Sequence, residues 1–212
     1  MRVFIAGATG RVAKYVIDNL TVDGHTVYCG SRHSENIKET EQIKPVNFDL
    51  HLSKDEMAEV IKNMDAVYFL AGSRGKDLLQ TDAFGAVKLM QACEKVGIKR
   101  FIILSSIFAL EPEKWAEETS LKNITNYNIA KFFADNYLVT STNLDYTIIQ
   151  PTLLRETDGT GKVELNPEHD GENPIPDVAA VLSSVLNMES TYKKVIKMRS
   201  GDTPIANALA EI

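Results

Sequence analysis

The chain has 212 residues, 44% hydrophobic and 25% charged, with a formal net charge of −6. That acidic balance argues against a basic, phosphate-reading face, so nucleic acid is not an expected partner. With 12 Gly, 7 Pro and 2 Cys the composition is that of an ordinary globular protein, not a disordered, collagen-like or disulfide-stapled one. No apolar run approaches the roughly 18 residues that span a bilayer. The apolar start at residues 3–6 runs into Gly7 with no basic leader before it, so a cytoplasmic protein without membrane contact is expected. Cys29 and Cys93 sit in apolar segments without metal or redox spacing and read as buried, reduced thiols.

Short apolar runs alternate with longer amphipathic ones. Strands are predicted at residues 2–6, 26–30, 46–48, 66–70, 101–104 and 146–149, and helices at 11–20, 53–63, 77–96 and 124–141, with a short one near Glu35. The strands are rich in Val, Ile and Phe and nearly free of charge, as expected when helices cover both faces of a sheet. Such alternation means parallel strands joined by right-handed crossovers, giving a doubly wound α/β fold. After Pro151 the rhythm breaks into a polar stretch at 156–173, followed by a helix near 177–188, a strand near 194–198 and a helix near 204–211. No linker divides the chain, so one domain is expected, with residues 1–150 as a cofactor-binding core and 151–212 as a small substrate-side extension.

The first strand leads into Gly7-Ala8-Thr9-Gly10-Arg11-Val12-Ala13, and a helix follows at once. This is the position of a dinucleotide fingerprint: Gly7 for the tight turn, Gly10 for close approach of the backbone to a pyrophosphate, small Ala13 for helix–strand packing. After the second strand comes Ser31-Arg32-His33, with no acid before Glu35 to accept ribose hydroxyls. Arg32 can pair with a 2′-phosphate and Ser31 can hydrogen-bond it, so the reading favours NADP, with NAD as the alternative. Asp49, after the third strand, suits either the adenine amino group or a turn.

With these segments the chain resembles the atypical short-chain dehydrogenase/reductases, the small NAD(P)-binding relatives of the epimerase/dehydratase enzymes. The resemblance is carried by the glycine turn, by Phe48-Asp49-Leu50, by the segment Gly97 to Ser106 that ends Leu104-Ser105-Ser106, by Tyr127-Asn128-Ile129-Ala130-Lys131, and by Leu144 to Pro151. It implies an NAD(P)-binding Rossmann fold. It also implies cofactor contacts from Gly7, Thr9, Gly10, Arg11, Val12, Ser31, Arg32, Asp49, Leu50, Ala71, Gly72, Lys131, Pro151 and Thr152. Where relatives usually read Arg-Pro-Gly this chain has Gln150-Pro151-Thr152, which removes a cation and a flexible glycine from a loop expected to face the cofactor.

In short-chain reductases a tyrosine is the general acid, a lysine four residues on tunes it and holds the nicotinamide ribose, and a serine orients the carbonyl. Tyr127, Lys131 and Ser106 fit those roles, with Ser105 as a turn residue. Positions i and i+4 share a helix face, so an ammonium there favours the phenolate. With 7 Tyr in 212 residues, chance supplies about 0.5 such Tyr–Lys spacings. The weight therefore falls on context: this is the only such pair, and it follows the fifth strand, whose end carries the serines.

His25, His33, His51 and His169 show no metal spacing, and there is no nucleophile elbow. The acid-rich segment 111–118 around Trp115 reads either as a lid over the substrate or as an exposed turn with Trp115 packed on the domain; the second is favoured. The expected function is NADPH-dependent reduction of a small carbonyl, quinone or flavin-like acceptor by a monomer or homodimer. The alternative is a redox-sensing regulator similar to the NmrA-like proteins. Third comes a sugar-nucleotide epimerase or dehydratase, disfavoured because little chain follows the sixth strand.

Overall fold

The structure, a computed structural model, describes residues 1–118 and 120–212. Six parallel strands carry the first three-quarters of the chain: β1 (Arg2–Ala6), β2 (Thr26–Ser31), β3 (Ile43–Asn47), β4 (Ala66–Phe69), β5 (Arg100–Leu104) and β6 (Asp145–Pro151). The crossovers are α1 (Arg11–Val22), α2 (Lys54–Ile61), α3 (Phe84–Val96) and α4 (Thr125–Ser141), with a single 3₁₀ turn at Ser34–Asn36 between β2 and β3. Strand order runs β3-β2-β1-β4-β5-β6, so the chain reverses direction across the sheet between β1 and β4. That reversal opens a crevice at the carboxyl ends of the strands.

The strands alternate between two cores. On β1, Val3 and Ile5 join the cluster under α1, while Phe4 and Ala6 join the one under α2 and α3. The two sets point to opposite faces because side chains on a strand have a period of two. Local chemistry sets the helix ends. Ser53 and Glu56 form a reciprocal capping box at α2, and Gly97 ends α3 in the left-handed conformation at φ +80°.

Two expectations are corrected. The helix predicted at 77–96 begins as a π-helical turn, Leu78–Ala83, before α3 proper. The polar stretch 156–173 is also more ordered than its composition suggests. It contributes β8 (Lys162–Leu165), and with its flanks it supplies β7 (Leu153–Arg155) and β9 (Glu172–Pro174), which pair in parallel outside the main sheet.

The chain closes with α5 (Ile175–Ser184), β10 (Lys194–Pro204) and α6 (Ile205–Ala210). β10 pairs parallel with β6 and antiparallel with β8, which completes an eight-stranded sheet. Side-chain acceptors hold the irregular segments. Asp177 accepts from the backbone of Thr160 and Gly161, each at 2.9 Å. Glu118 accepts from the Asp170 backbone at 3.0 Å. Cys29 and Cys93 are free, buried thiols; burial raises both, Cys29 to about 12. Among the described residues no helix is long and apolar enough to cross a membrane, and no cluster of His, Cys, Asp and Glu could hold a metal.

Candidate functional site

The crevice at the reversal point has two lobes that meet over the glycine turn, with Gly10, Leu70, Ala71, Gly72 and Arg74 lining both. One lobe, of about 380 Å³, is walled by Gly7, Thr9, Ser31, Arg32, His33, Asp49 and Leu50. The other, of about 310 Å³, is walled by Arg11, Val12, Ser106, Tyr127, Lys131, Pro151 and Thr152, together with Ser105 and an apolar rim. Every site residue expected from the sequence therefore lines one lobe or the other.

Gly7 has φ +89°, and a Cβ there would stand 2.5 Å from the Cα of Ala71, so the turn admits no side chain. Gly10 precedes α1 with no side-chain cap, which leaves the first helical N–H groups open to the crevice. A Cβ on Gly10 would meet the Gly7 carbonyl at 3.1 Å. The Thr9 and Ser31 hydroxyls lie 3.1 Å apart. Ser31 also accepts the His33 backbone N–H at 3.0 Å, which fixes the turn that presents Arg32 to solvent. Asp49 acts as a turn residue, accepting the His51 N–H at 3.0 Å, and still lines the lobe. In the opposite lobe Arg11 reaches out to Glu156 at 2.8 Å.

The two serines at the end of β5 differ in their commitments. Ser105 donates to Asp135 at 2.6 Å, a bond buried behind the cleft wall. The Ser106 hydroxyl lines the lobe and makes no hydrogen bond among the described residues. Lys131 is almost wholly buried, donates to the Leu104 carbonyl at 3.2 Å, and holds its Nζ 5.7 Å from the Tyr127 ring centre. Tyr127 is half-buried. Burial raises its phenol above the ordinary value, the Lys131 charge opposes this, and Asp82 and Asp135 add to it. Lys131 favours the phenolate, but burial outweighs the ammonium and the net shift is upward.

Gln150 stands where relatives usually have arginine. Its side chain is buried and donates to Asp135 at 2.9 Å, behind the residues that line the cleft. Of this loop Pro151 and Thr152, the two residues expected to contact the cofactor, line the lobe, and Gln150 does not. Thr152 is pinned there by Asn173, which accepts its backbone N–H at 3.0 Å and its hydroxyl at 2.7 Å. Trp115 is not part of the wall; it donates to the Phe108 carbonyl at 2.9 Å and packs with Ile107, Phe108 and Leu121. The acidic segment is not wholly exposed, since Glu118 is buried.

The sequence reading missed Arg74, Asp82 and Asp135. Arg74 lines both lobes with φ +53°, in a loop whose composition gave no signal. Asp135 was findable, because it falls four residues after Lys131 and so on the same helix face.

A doubly wound sheet with a glycine turn at its reversal point and an open cation after the second strand defines a dinucleotide-binding α/β protein. The chain belongs to the NAD(P)H-binding family, whose profile matches residues 7–189. It is 34% identical to the uncharacterized sugar epimerase YhfK of Bacillus subtilis, over 100% of both chains. The crystal structure of the oxidoreductase ylbE from Lactococcus lactis superposes with a TM-score of 0.96 at 44% identity, covering 100% of this chain and 96% of that one. A short-chain dehydrogenase/reductase from Veillonella parvula in complex with NADP superposes with a TM-score of 0.78, covering 96% of each chain; at 18% identity the likeness is one of fold.

Proposed function

We propose that this protein is an NADPH-dependent reductase of a small carbonyl, quinone or flavin-like acceptor. The observation that carries the reading is the open Ser106 hydroxyl in the same lobe as the Tyr127–Lys131 pair. The residues fit a dinucleotide: the cradle admits no side chain at Gly7 and crowds one at Gly10, and the N–H groups at the start of α1 have no side-chain cap. Arg32 and Ser31 would hold the 2′-phosphate, Asp49 and Leu50 would flank the adenine, and Lys131 would hold the nicotinamide ribose. When bound, NADPH supplies the hydride.

The chain supplies the rest. Tyr127, kept protonated by burial, donates its phenolic proton to the oxygen that becomes an alkoxide. Lys131 offsets the charge left on the phenol, and Ser106 orients the acceptor oxygen. The apolar residues of this lobe, Leu104, Ile107, Leu121, Ile124, Leu153 and Leu154, favour a compact, weakly polar acceptor.

The test is consumption of NADPH across a panel of quinones, aldehydes, ketones and flavins. Tyr127→Phe should retain NADPH affinity within a few-fold and lose about 10²–10⁴ in turnover. Lys131→Ala should lose both. A parent that binds NADPH and reduces none of the panel would favour the sensor. A Tyr127→Phe variant at parental rate would overturn the assigned proton donor.

A further inference from the structure

Two carboxylates that the proposed chemistry does not use lie near enough to Tyr127 for their charges to act on its phenol. Asp82, in the π-helical turn before α3, and Asp135, one turn beyond Lys131 on α4, are both fully buried. Asp135 Oδ2 accepts the Ser105 hydroxyl at 2.6 Å and the Gln150 amide at 2.9 Å. Asp82 Oδ2 accepts the Ser73 backbone N–H at 3.0 Å. The Oδ1 atom of each finds no donor among the described residues. Neither carboxylate forms an ion pair among those residues.

A buried carboxylate with half its acceptor capacity unmet is costly, and its persistence beside a cleft calls for a use. Both lie close to the cleft. Asp82 Oδ1 stands 3.5 Å from where a Cβ on Gly72 would be, and Gly72 lines both lobes. Asp135 lies directly behind Ser105, which lines the lobe of Tyr127. Both charges reach the Tyr127 phenol and oppose Lys131 there. Gln150 is neutral, so nothing from β6 balances Asp135. Among the buried groups this end of the cleft thus sets two acids against one ammonium, while the cations Arg11 and Arg74 on the same lobe are exposed to solvent.

We propose that Asp82 and Asp135 make this end of the cleft selective for the oxidised form of the nicotinamide cofactor over the reduced form. The inference rests on the cofactor reading above. The two forms share their phosphates and sugars and differ at the ring by one positive charge, so a field acting at the ring separates them. In a reductase the same two charges stabilise the positive charge that reduction leaves at that end of the cleft. The groups facing Asp135 are Ser105, just after β5, and Gln150 from β6, with Lys131 of its own helix near enough to act on it; Ser73 faces Asp82, next to the exposed cation Arg74, and both carboxylates act on Tyr127. Burial pushes Asp135 up to about 6, against the bonds from Ser105 and Gln150 and the charge of Lys131. Its share of the selectivity should therefore be full at neutral pH and fade as the pH falls through that value.

The test is the ratio of affinities for oxidised and reduced NADP, from titrations on the parent, Asp135→Asn and Asp82→Asn at about pH 7.5 and about pH 5. Titration of the cofactor phosphate is common to both forms and cancels in the ratio. Each substitution should weaken the oxidised form about three- to tenfold near pH 7.5 and leave the reduced form within about twofold. In the parent, acidification should move the ratio the same way, and Asp135→Asn should remove most of that response. If either variant fails to fold by circular dichroism, the pH arm on the parent decides. A parental ratio in both variants, or a pH-independent ratio in the parent, would overturn the inference while leaving the cofactor reading intact. A parent that binds neither form overturns both.

Discussion

On the proposed reading the choice of dinucleotide rests on Arg32, an exposed guanidinium on the wall of the lobe that holds Ser31 and Asp49, with no ion-pair partner among the described residues. A charge-assisted contact with phosphate is worth about 1.5–3 kcal/mol, so Arg32→Ala should weaken NADPH at least about tenfold and leave NADH nearly unchanged. Calorimetry with both cofactors checks this, and equal parental affinities would sink the assignment of the 2′-phosphate. Arg32 was readable in the sequence because it closes an apolar strand where an acid would otherwise stand. Arg74, which lines both lobes, was not readable: its place depends on how the loop after β4 folds back, and no local pattern encodes that.

At the scale of elements, β5 and β6 are tied to the end of α5 by a buried cation. Arg100 donates to the carbonyls of Leu186 at 3.0 Å, Asp145 at 2.7 Å and Val185 at 2.5 Å, and stacks on the Tyr192 ring at 4.5 Å. Carbonyls solvate it in place of an acid, and burial lowers its affinity for the proton. Arg100→Leu leaves those carbonyls buried without their donor, so urea unfolding should show a loss of about 3 kcal/mol. Because Arg100 lies outside the cleft, cofactor affinity of the folded variant should be unchanged. A loss below about 0.5 kcal/mol would mean that water replaces the guanidinium. The six parallel strands were legible as elements because each is a short, charge-poor run between helical patterns. The π-helical turn at Leu78–Ala83 was not, since it keeps the helical spacing of apolar residues and differs only in its hydrogen bonds.

For the whole molecule, the buried carboxylate of Asp135 should leave a mark on stability against pH. Its folded value, about 6, stands above the ordinary 3.8, so the ionised form is the one the fold disfavours. Below the ordinary value both states are protonated and the group contributes nothing. As pH rises between the two values the unfolded chain releases the proton first, and stability falls. Above the folded value the cost is complete, at about 3 kcal/mol. Asp135→Asn should abolish this slope, so the difference between the two unfolding free energies should grow by that amount from acid to neutral pH. Parallel curves would show that the fold does not raise this carboxyl above its ordinary value. The sequence by itself determined the doubly wound sheet, the glycine turn, the missing acid after β2 and the Tyr127–Lys131 face, because each depends on residue type and short spacing along one chain. Tertiary structure alone decided that Ser105 is committed to Asp135 while Ser106 stays open, and that Gln150 turns into the core. It alone brought Asp82 and Asp135, each buried behind a residue that lines the cleft, within reach of Tyr127. These facts depend on which strand ends and helix faces meet, and residues so far apart in sequence carry no mutual pattern until the chain has folded.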